Sequence, residues 1–242
     1  MTENFRSYFR AGILAVIVGF VGTGAFGQDF DKGADAYDRG DFQAALKEWH
    51  PLAEQGDALA QSELGSMYDH GEGVLQDYAE AVRWYRLAAE QGHANAQKNL
   101  GNMYDTGEGV PEDDTEAARW WRLAADQGNA DAQSTLGIAY ALGSGVPKEY
   151  ISAHMWLNIA GANGNKGARM LRDEFEKTMT PADISEAQRR ARICMSSGYQ
   201  NCVTVRSPHS DAVDLDSAAQ LRAREAFRFG FPCMSLGYQD CD

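Results

Sequence analysis

The sequence predicts an all-α protein, an α-α solenoid of stacked helical hairpins with a C-terminal helical cap. One stretch of sequence recurs with a period of 36 residues, as the glycines at 56, 92 and 128 show. Within each period, apolar residues follow helical spacing, and glycines interrupt them at the same places. A fixed period of this length is typical of repeat proteins, in which each unit packs only on its neighbours.

The first 27 residues have the composition of a secretory signal peptide. Met1–Arg10 carries two arginines, Ala11–Gly27 is nearly all apolar, and a cleavage point follows at Gln28. The alternative is an uncleaved anchor, because the apolar run lies at the short limit for a membrane span. We therefore expect secretion across the inner membrane, to the periplasm or outside the cell, with no stable membrane span after cleavage.

The net charge makes nucleic acid a poor partner. Removal of residues 1–27, which carry two arginines and one glutamate, changes the formal net charge from −13 to −14. An acidic chain repels phosphate backbones, so we expect a protein or peptide partner and no nucleic acid.

Each repeat predicts two helices, and the first of them is expected at 60–70, 96–106 and 132–142. Each first helix has an apolar stripe and an interior glycine. Because such a glycine costs about 1 kcal/mol, its recurrence predicts a neighbouring helix backbone too close for a Cβ. In the second helices, small residues alternate with aromatic ones, whose helical spacing favours a packed core over a ligand-stacking site. These aromatic residues are Trp84, Tyr85, Trp120, Trp121 and Trp156.

A Gly-x-Gly-Val loop joins the two helices of each repeat, at 71–74, 107–110 and 143–146. The first glycine is suited to end a helix, because it adopts the left-handed conformation without strain. A phosphate-binding loop is disfavoured, because no predicted strand precedes these glycines.

Together these residues resemble the Sel-one-like repeat, a relative of the tetratricopeptide repeat. The pattern A-x-x-W-Y/W-x-x-A-A-x-Q-G-x-x-x-A-Q-x-x-L-G-x-x-Y-x-x-G-x-G-V covers about residues 41–164, and a less regular first unit at 31–56 resembles a tetratricopeptide hairpin with a tighter turn. Residues 28–164 are thus predicted to form four hairpins. The resemblance implies an α-helical solenoid with an adaptor or scaffold role, often in bacterial envelopes.

The period breaks after Gly164. Residues 165–202 predict two capping helices that cover the last repeat, with Thr180 as an N-cap and Pro181 as the first helical residue. Residues 203–242 predict a linker, an amphipathic helix at 217–229 and a tail with cysteines.

The four cysteines stand in two copies of one motif, with Cys194 and Cys202 in the first and Cys233 and Cys241 in the second. In a secreted chain, an even number in matched pairs predicts disulfides, and the duplication favours pairing within each copy. Each closed loop should stabilise the fold by about 2–3 kcal/mol. Metal binding is disfavoured, because His209 is the one histidine near them; a redox-sensing switch is the remaining alternative.

The sequence contains no S-x-x-K, no H-E-x-x-H and no nucleophile elbow, so we expect neither enzyme activity nor a cofactor. The histidines at 50, 70, 93 and 154 are interpreted as solvated or half-buried. Cysteine-rich relatives of the resembled family carry paired cysteines in every repeat, and some are described as penicillin-binding or β-lactamase-like. Ala89 and Gln97 occupy those places here. A weak cell-wall or β-lactam hydrolase and a redox-responsive envelope regulator are the alternatives to a partner-binding module.

A partner is expected on the first helices, which line the concave face if the hairpins stack as in tetratricopeptide arrays. Positions outside the apolar stripe have i, i+4, i+7 spacing and so share one helix face. They are Ser62, Ser66 and Asp69; Lys98, Asn102 and Asp105; and Ser134, Ile138 and Ala141. Their small or polar side chains suit an extended peptide or a partner helix.

Overall fold

The computed structural model describes residues 25–200 and residue 202, and only the backbone of residues 25–29. The remaining residues lie outside the described part, and with them most of the predicted signal peptide, the predicted helix at 217–229, and Cys233 and Cys241. Within the described part the chain forms ten helices and no strand. They are α1 (Ala25–Asp38), α2 (Phe42–Glu54), α3 (Ala58–His70), α4 (Tyr78–Glu90), α5 (Ala94–Thr106), α6 (Asp114–Ala125), α7 (Ala130–Leu142), α8 (Tyr150–Ala162), α9 (Lys166–Glu176) and α10 (Pro181–Ser196).

The helices stack as successive hairpins. The main packing lies within the pairs α1–α2, α3–α4, α5–α6 and α7–α8, and each pair also packs on the next. The connection within the first pair, residues 39–41, is shorter than the corresponding loop at 71–77. The predicted all-α solenoid is therefore confirmed.

The first helices of the three regular repeats begin two residues earlier than predicted, because the residue before each one caps it. A carboxylate oxygen of Asp57 accepts the backbone N–H of Ala60, the third residue of α3, at 2.8 Å. The amide oxygen of Asn129 accepts the backbone N–H of Ala132 in α7 in the same way, at 2.9 Å. At α5 the cap is His93, whose Nδ1 lies 3.4 Å from the Ala96 nitrogen. Capping satisfies backbone donors that have no partner inside the helix.

The interior glycines of the first helices leave space for a side chain of the second helix. A Cβ on Gly101 would lie 2.6 Å from the Trp121 ring, and one on Gly65 would lie 2.5 Å from the Tyr85 ring. The predicted lack of room for a Cβ is confirmed. The nearest neighbour is an aromatic side chain of the same repeat, however, and not the backbone of another helix.

The two glycines of each loop have different roles. Gly107 ends α5 in the left-handed conformation, at φ 72°, as predicted. A Cβ on Gly109 would overlap the Tyr78 carbonyl at the start of the preceding second helix. The second glycine therefore lets the loop contact the previous repeat, which the sequence alone did not indicate.

Buried glutamines join neighbouring repeats. Gln97 Nε2 donates to the Ala89 carbonyl at 3.0 Å, and Gln97 Oε1 accepts from Gln127 Nε2 at 2.7 Å. The same two bonds recur 36 residues earlier and later. They join Gln61 to Ala53 and Gln91, and Gln133 to Ala125 and Asn163.

The cap begins as a further repeat and then departs from it. Asn165 caps α9. Arg169 Nε donates to the Gly161 carbonyl at 2.9 Å, and this donor and acceptor are eight residues apart, as are each buried glutamine and its carbonyl acceptor. Asp173 occupies the place of the interior glycine. Helices α9 and α10 make little contact with each other, and each packs against α8.

The aromatic residues of the second helices are buried, which confirms that they belong to the core. One histidine was interpreted wrongly: His154 in α8 is fully buried, and its Nε2 lies 2.8 Å from Glu176 Oε1 in α9. This contact ties the cap to the last second helix.

Candidate partner-binding surface

The nine positions predicted to face a partner lie at equivalent places on α3, α5 and α7, which belong to successive repeats. Six of them keep accessible side chains, and we call these six the first-helix surface. They are Ser66, Asp69, Lys98, Asn102, Asp105 and Ile138.

The prediction is wrong for Ser62 and Ser134, which retain 4% and 9% of their exposure, and Ala141 is also buried. These two serines stand in the second turn of their helices, where neighbouring helices cover them, whereas Ser66, one turn later, stays accessible. Lys98 stands at the same place in the middle repeat, and its longer side chain keeps it half-exposed. These two serines therefore offer little to a partner.

The second helices hold two polar groups of the first-helix surface in place. Trp121 Nε1 donates to Asn102 Oδ1 at 2.9 Å, and the Tyr85 hydroxyl donates to Asp69 Oδ2 at 3.3 Å. Burial raises the pKa of Tyr85, so its hydroxyl stays protonated and remains a donor. Fixed side chains lose less conformational entropy when a partner binds.

The electrostatic character of the surface is mainly acidic. Burial raises the pKa of Asp69, and the nearby Lys98 ammonium partly opposes that shift. Burial, with Asp114 and Glu112 close by, raises the pKa of Asp105. Carboxyl groups at these two positions suit a partner with basic or hydrogen-bond-donating groups.

Two apolar residues that the sequence pattern did not predict as partner contacts extend this surface towards the cap. Leu142, in the last turn of α7, is 70% exposed, and Met170 in α9 is 74% exposed. Met170 follows Ser134 by one period of 36 residues. Continuing the period beyond Gly164 would have found it, because Asn165 and Ala168 still match the repeat.

The structure joins Cys194 to Cys202, the pairing that the duplicated motif favours. Both cysteines are buried, at 0% and 6% exposure. In the part of the chain that the structure describes, no three His, Cys, Asp or Glu side chains are grouped as metal ligands would be. Nor does any helix of residues 25–200 have the length and apolar character to cross a membrane.

The fold and this surface define the class of protein, a helical-repeat solenoid with an accessible face on its first helices. Residues 58–93, 94–129 and 130–165 each match the Sel1 repeat, and these three units contain the hairpins α3–α4, α5–α6 and α7–α8. Residues 58–165 of the chain are thus similar to three consecutive Sel1 repeats.

Solved structures with the same repeat are similar to this chain. A protective antigen of uropathogenic Escherichia coli, described as having an SLR fold, shares 30% identity at a TM-score of 0.67, over 76% of this chain and 41% of that one. A Sel1 repeat protein from Oxalobacter formigenes shares 34% identity at a TM-score of 0.58, over 60% of each chain. Cysteine-rich protein B of Helicobacter pylori shares 21% identity at a TM-score of 0.45, over 54% of this chain and 94% of that one.

This chain thus spans less than two thirds of the length of the first two structures. No curated protein matches it at a significant level. Sel1-repeat proteins are generally protein-interaction modules.

Proposed function

We propose that this protein is a periplasmic adaptor or regulatory module that binds a partner protein on its first-helix surface. One observation carries the proposal: positions on this surface change between repeats, whereas the leucine of the core stripe does not. The core keeps leucine at 64, 100 and 136, whereas two residues later the surface carries Ser66, Asn102 and Ile138. Packing alone explains the invariant leucines, and recognition of a particular partner explains the varied surface.

The surface chemistry suits an extended segment with two different ends. Asp69 and Asp105 favour basic groups near α3 and α5. Ile138, Leu142 and Met170 offer apolar contact area near α7 and α9. The partner segment is therefore proposed to carry Lys or Arg at one end and apolar side chains at the other.

Export to the periplasm rests on the N-terminal sequence. The basic start and apolar stretch of residues 1–27 support it. The disulfide between Cys194 and Cys202 also supports export, because disulfides form and persist in oxidising compartments such as the periplasm.

A charge swap tests the binding surface. Lys98→Glu combined with Asp105→Lys keeps the net charge and inverts the local pattern. We expect recovery of the partner from an envelope extract to fall about tenfold, which corresponds to about 1.4 kcal/mol. The matched control is Lys47→Glu with Glu90→Lys, which swaps exposed charges on the second helices α2 and α4. Equal recovery by both variants would place the partner elsewhere.

A further inference from the structure

A groove lies on the opposite side of the hairpins, between the second helices α2 and α4. It is separate from the first-helix surface. Its lining residues are His50, Ala53, Glu54, Gln61, Arg83, Trp84 and Leu87.

Every residue of this groove has a counterpart two periods later, between α6 and α8. There the counterparts of Ala53, Trp84 and Leu87 belong to a core cluster that also contains Cys194 and Cys202. They are Ala125, Trp156 and Ile159. The later groove is therefore occupied by the C-terminal end of α10 together with the disulfide-closed turn that follows it.

The turn is held in the later groove by apolar and polar contacts. Tyr199 packs against the same cluster, and its ring lies 3.2 Å from the position of a Cβ on Gly128. Its hydroxyl donates to Asn163 Oδ1 at 3.1 Å and accepts from Asn163 Nδ2 at 2.8 Å. Asn163 stands where Gln91 stands beside the earlier groove.

The earlier groove keeps the alanine and the tryptophan of the later one, but here the Arg83 guanidinium lies over the Trp84 ring, 3.8 Å from its centre. Ile159 is fully buried, whereas its counterpart Leu87 is 38% exposed. Trp84 Nε1 is buried and, like Trp120 Nε1 one repeat later, finds no hydrogen-bond partner among the described residues. A buried donor without an acceptor costs free energy, and a docked carbonyl would remove that cost.

The chain carries a second copy of the turn. Cys-Met-Ser-Ser-Gly-Tyr-Gln-Asn-Cys at 194–202 recurs as Cys-Met-Ser-Leu-Gly-Tyr-Gln-Asp-Cys at 233–241. The copy keeps both cysteines, and Tyr238 corresponds to Tyr199. The α10 sequence Ala-Gln-Arg-Arg-Ala-Arg at 187–192 also recurs, as Ala-Gln-Leu-Arg-Ala-Arg at 219–224.

We propose that residues 233–241 dock in the groove between α2 and α4 of the same chain, as residues 194–202 dock between α6 and α8. The connecting chain is long enough. Residues 203–232 span up to about 100 Å when extended. The path from α8 to α4 crosses four helix-to-helix steps, at most about 40 Å. In this arrangement, one copy of the turn packs on the solenoid between α2 and α4, and the other packs between α6 and α8.

A photo-crosslinking amino acid in place of Leu87 tests the docking in the full chain. Irradiation followed by mass spectrometry should give a crosslink to residues 233–241 as the main product. A mixture of isotopically light and heavy protein distinguishes products within one chain from products between chains. The matched control places the same amino acid at Leu123, the 39% exposed counterpart of Leu87 on α6.

The variant Tyr238→Ala should lower the Leu87 crosslink at least tenfold, while Ser210→Ala in the connecting segment should leave it unchanged. Circular dichroism of each variant verifies that the repeats remain folded. The proposal is overturned by a main crosslink to another chain or another protein, by equal yields at positions 87 and 123, or by no product with residues 233–241.

Discussion

At Gly101, the absence of a side chain has two opposing effects on stability: it lowers helix propensity and it avoids a steric overlap. Glycine in a helix costs about 1 kcal/mol relative to alanine, because the unfolded chain loses more freedom on folding. Here a Cβ would overlap the Trp121 ring at 2.6 Å. Overpacking of this kind costs about 1–3 kcal/mol. The steric cost exceeds the gain in helix propensity, which explains why the glycine recurs in every regular repeat.

The overpacking cost of about 1–3 kcal/mol is offset by a helix-propensity gain of about 1 kcal/mol, so Gly101→Ala should lower the free energy of unfolding by up to about 2 kcal/mol. The control is Gly167→Ala in the first turn of α9, where a Cβ would meet its nearest neighbour at an ordinary 3.4 Å. That variant should leave stability unchanged or raise it by up to about 1 kcal/mol. Urea denaturation measures both. Equal effects at the two positions would refute the steric explanation.

His93 makes the stability of α5 depend on pH. Burial lowers the pKa of its imidazole below the ordinary 6.5, although the Asp57 carboxylate partly opposes the shift. The unfolded chain therefore binds more protons than the folded chain between the two pKa values. Stability is fully present above about pH 6.5 and is lost as pH falls towards the folded-state pKa.

Replacing the cap by one that does not titrate should remove this effect. Asn129 and Asn165 cap α7 and α9 at the equivalent place, so His93→Asn should fold normally. Melting temperatures of the two proteins should be similar at pH 7.5, and the variant should become the more stable one by pH 5.5. A constant difference across this range would show that His93 does not titrate in the folded cap.

At the scale of the element, the helix boundaries and the junctions between hairpins have different origins. Caps such as Asp57 and stops such as Gly107 are local, so the sequence pattern predicts helix ends within two residues. The bonds of Gln97 join residues that the helices bring together across 8 and 30 positions. The residue type alone does not distinguish this buried glutamine from an exposed one.

Gln97→Leu tests the junction. Leucine has a similar volume and neither donates nor accepts, so the amide of Gln127 loses a buried partner. We expect a loss of about 1–3 kcal/mol in urea denaturation. Gln200→Leu at an exposed position is the control and should change stability by less than about 0.5 kcal/mol. Similar losses would show that the glutamine bonds contribute nothing specific.

The sequence predicted the repeats better than their surroundings, for a physical reason. Each repeat has the same neighbours, so one pattern describes three units. The environment of α10 occurs once in the described part of the chain, because α10 packs on α8 and not on α9, the helix that precedes it. The burial of Ser62 likewise depends on how closely adjacent helices approach, which residue type does not encode. Of the nine positions predicted to face a partner, six are accessible, whereas Ser62, Ser134 and Ala141 are buried.

At the scale of the whole molecule, the solenoid presents two sides of different character. The first-helix side is acidic and becomes apolar towards α9. The second-helix side covers its aromatic residues with arginines: the Arg83 guanidinium lies 3.8 Å from the centre of the Trp84 ring, and Arg119 lies 4.3 Å from that of Trp120. This contrast leads to the proposal that a partner uses the first side, while the second side serves the chain's own C-terminal turns.

Hydroxyl-radical footprinting with the recovered partner tests the proposed surface most directly. Both sides carry exposed apolar residues whose oxidation can be measured: Leu142 and Met170 on the first side, and Leu123 on the second. We predict that the partner lowers oxidation of Leu142 and Met170 at least threefold and leaves Leu123 unchanged. Protection of Leu123, with Leu142 and Met170 still fully oxidised, would contradict the first-helix surface as the binding site.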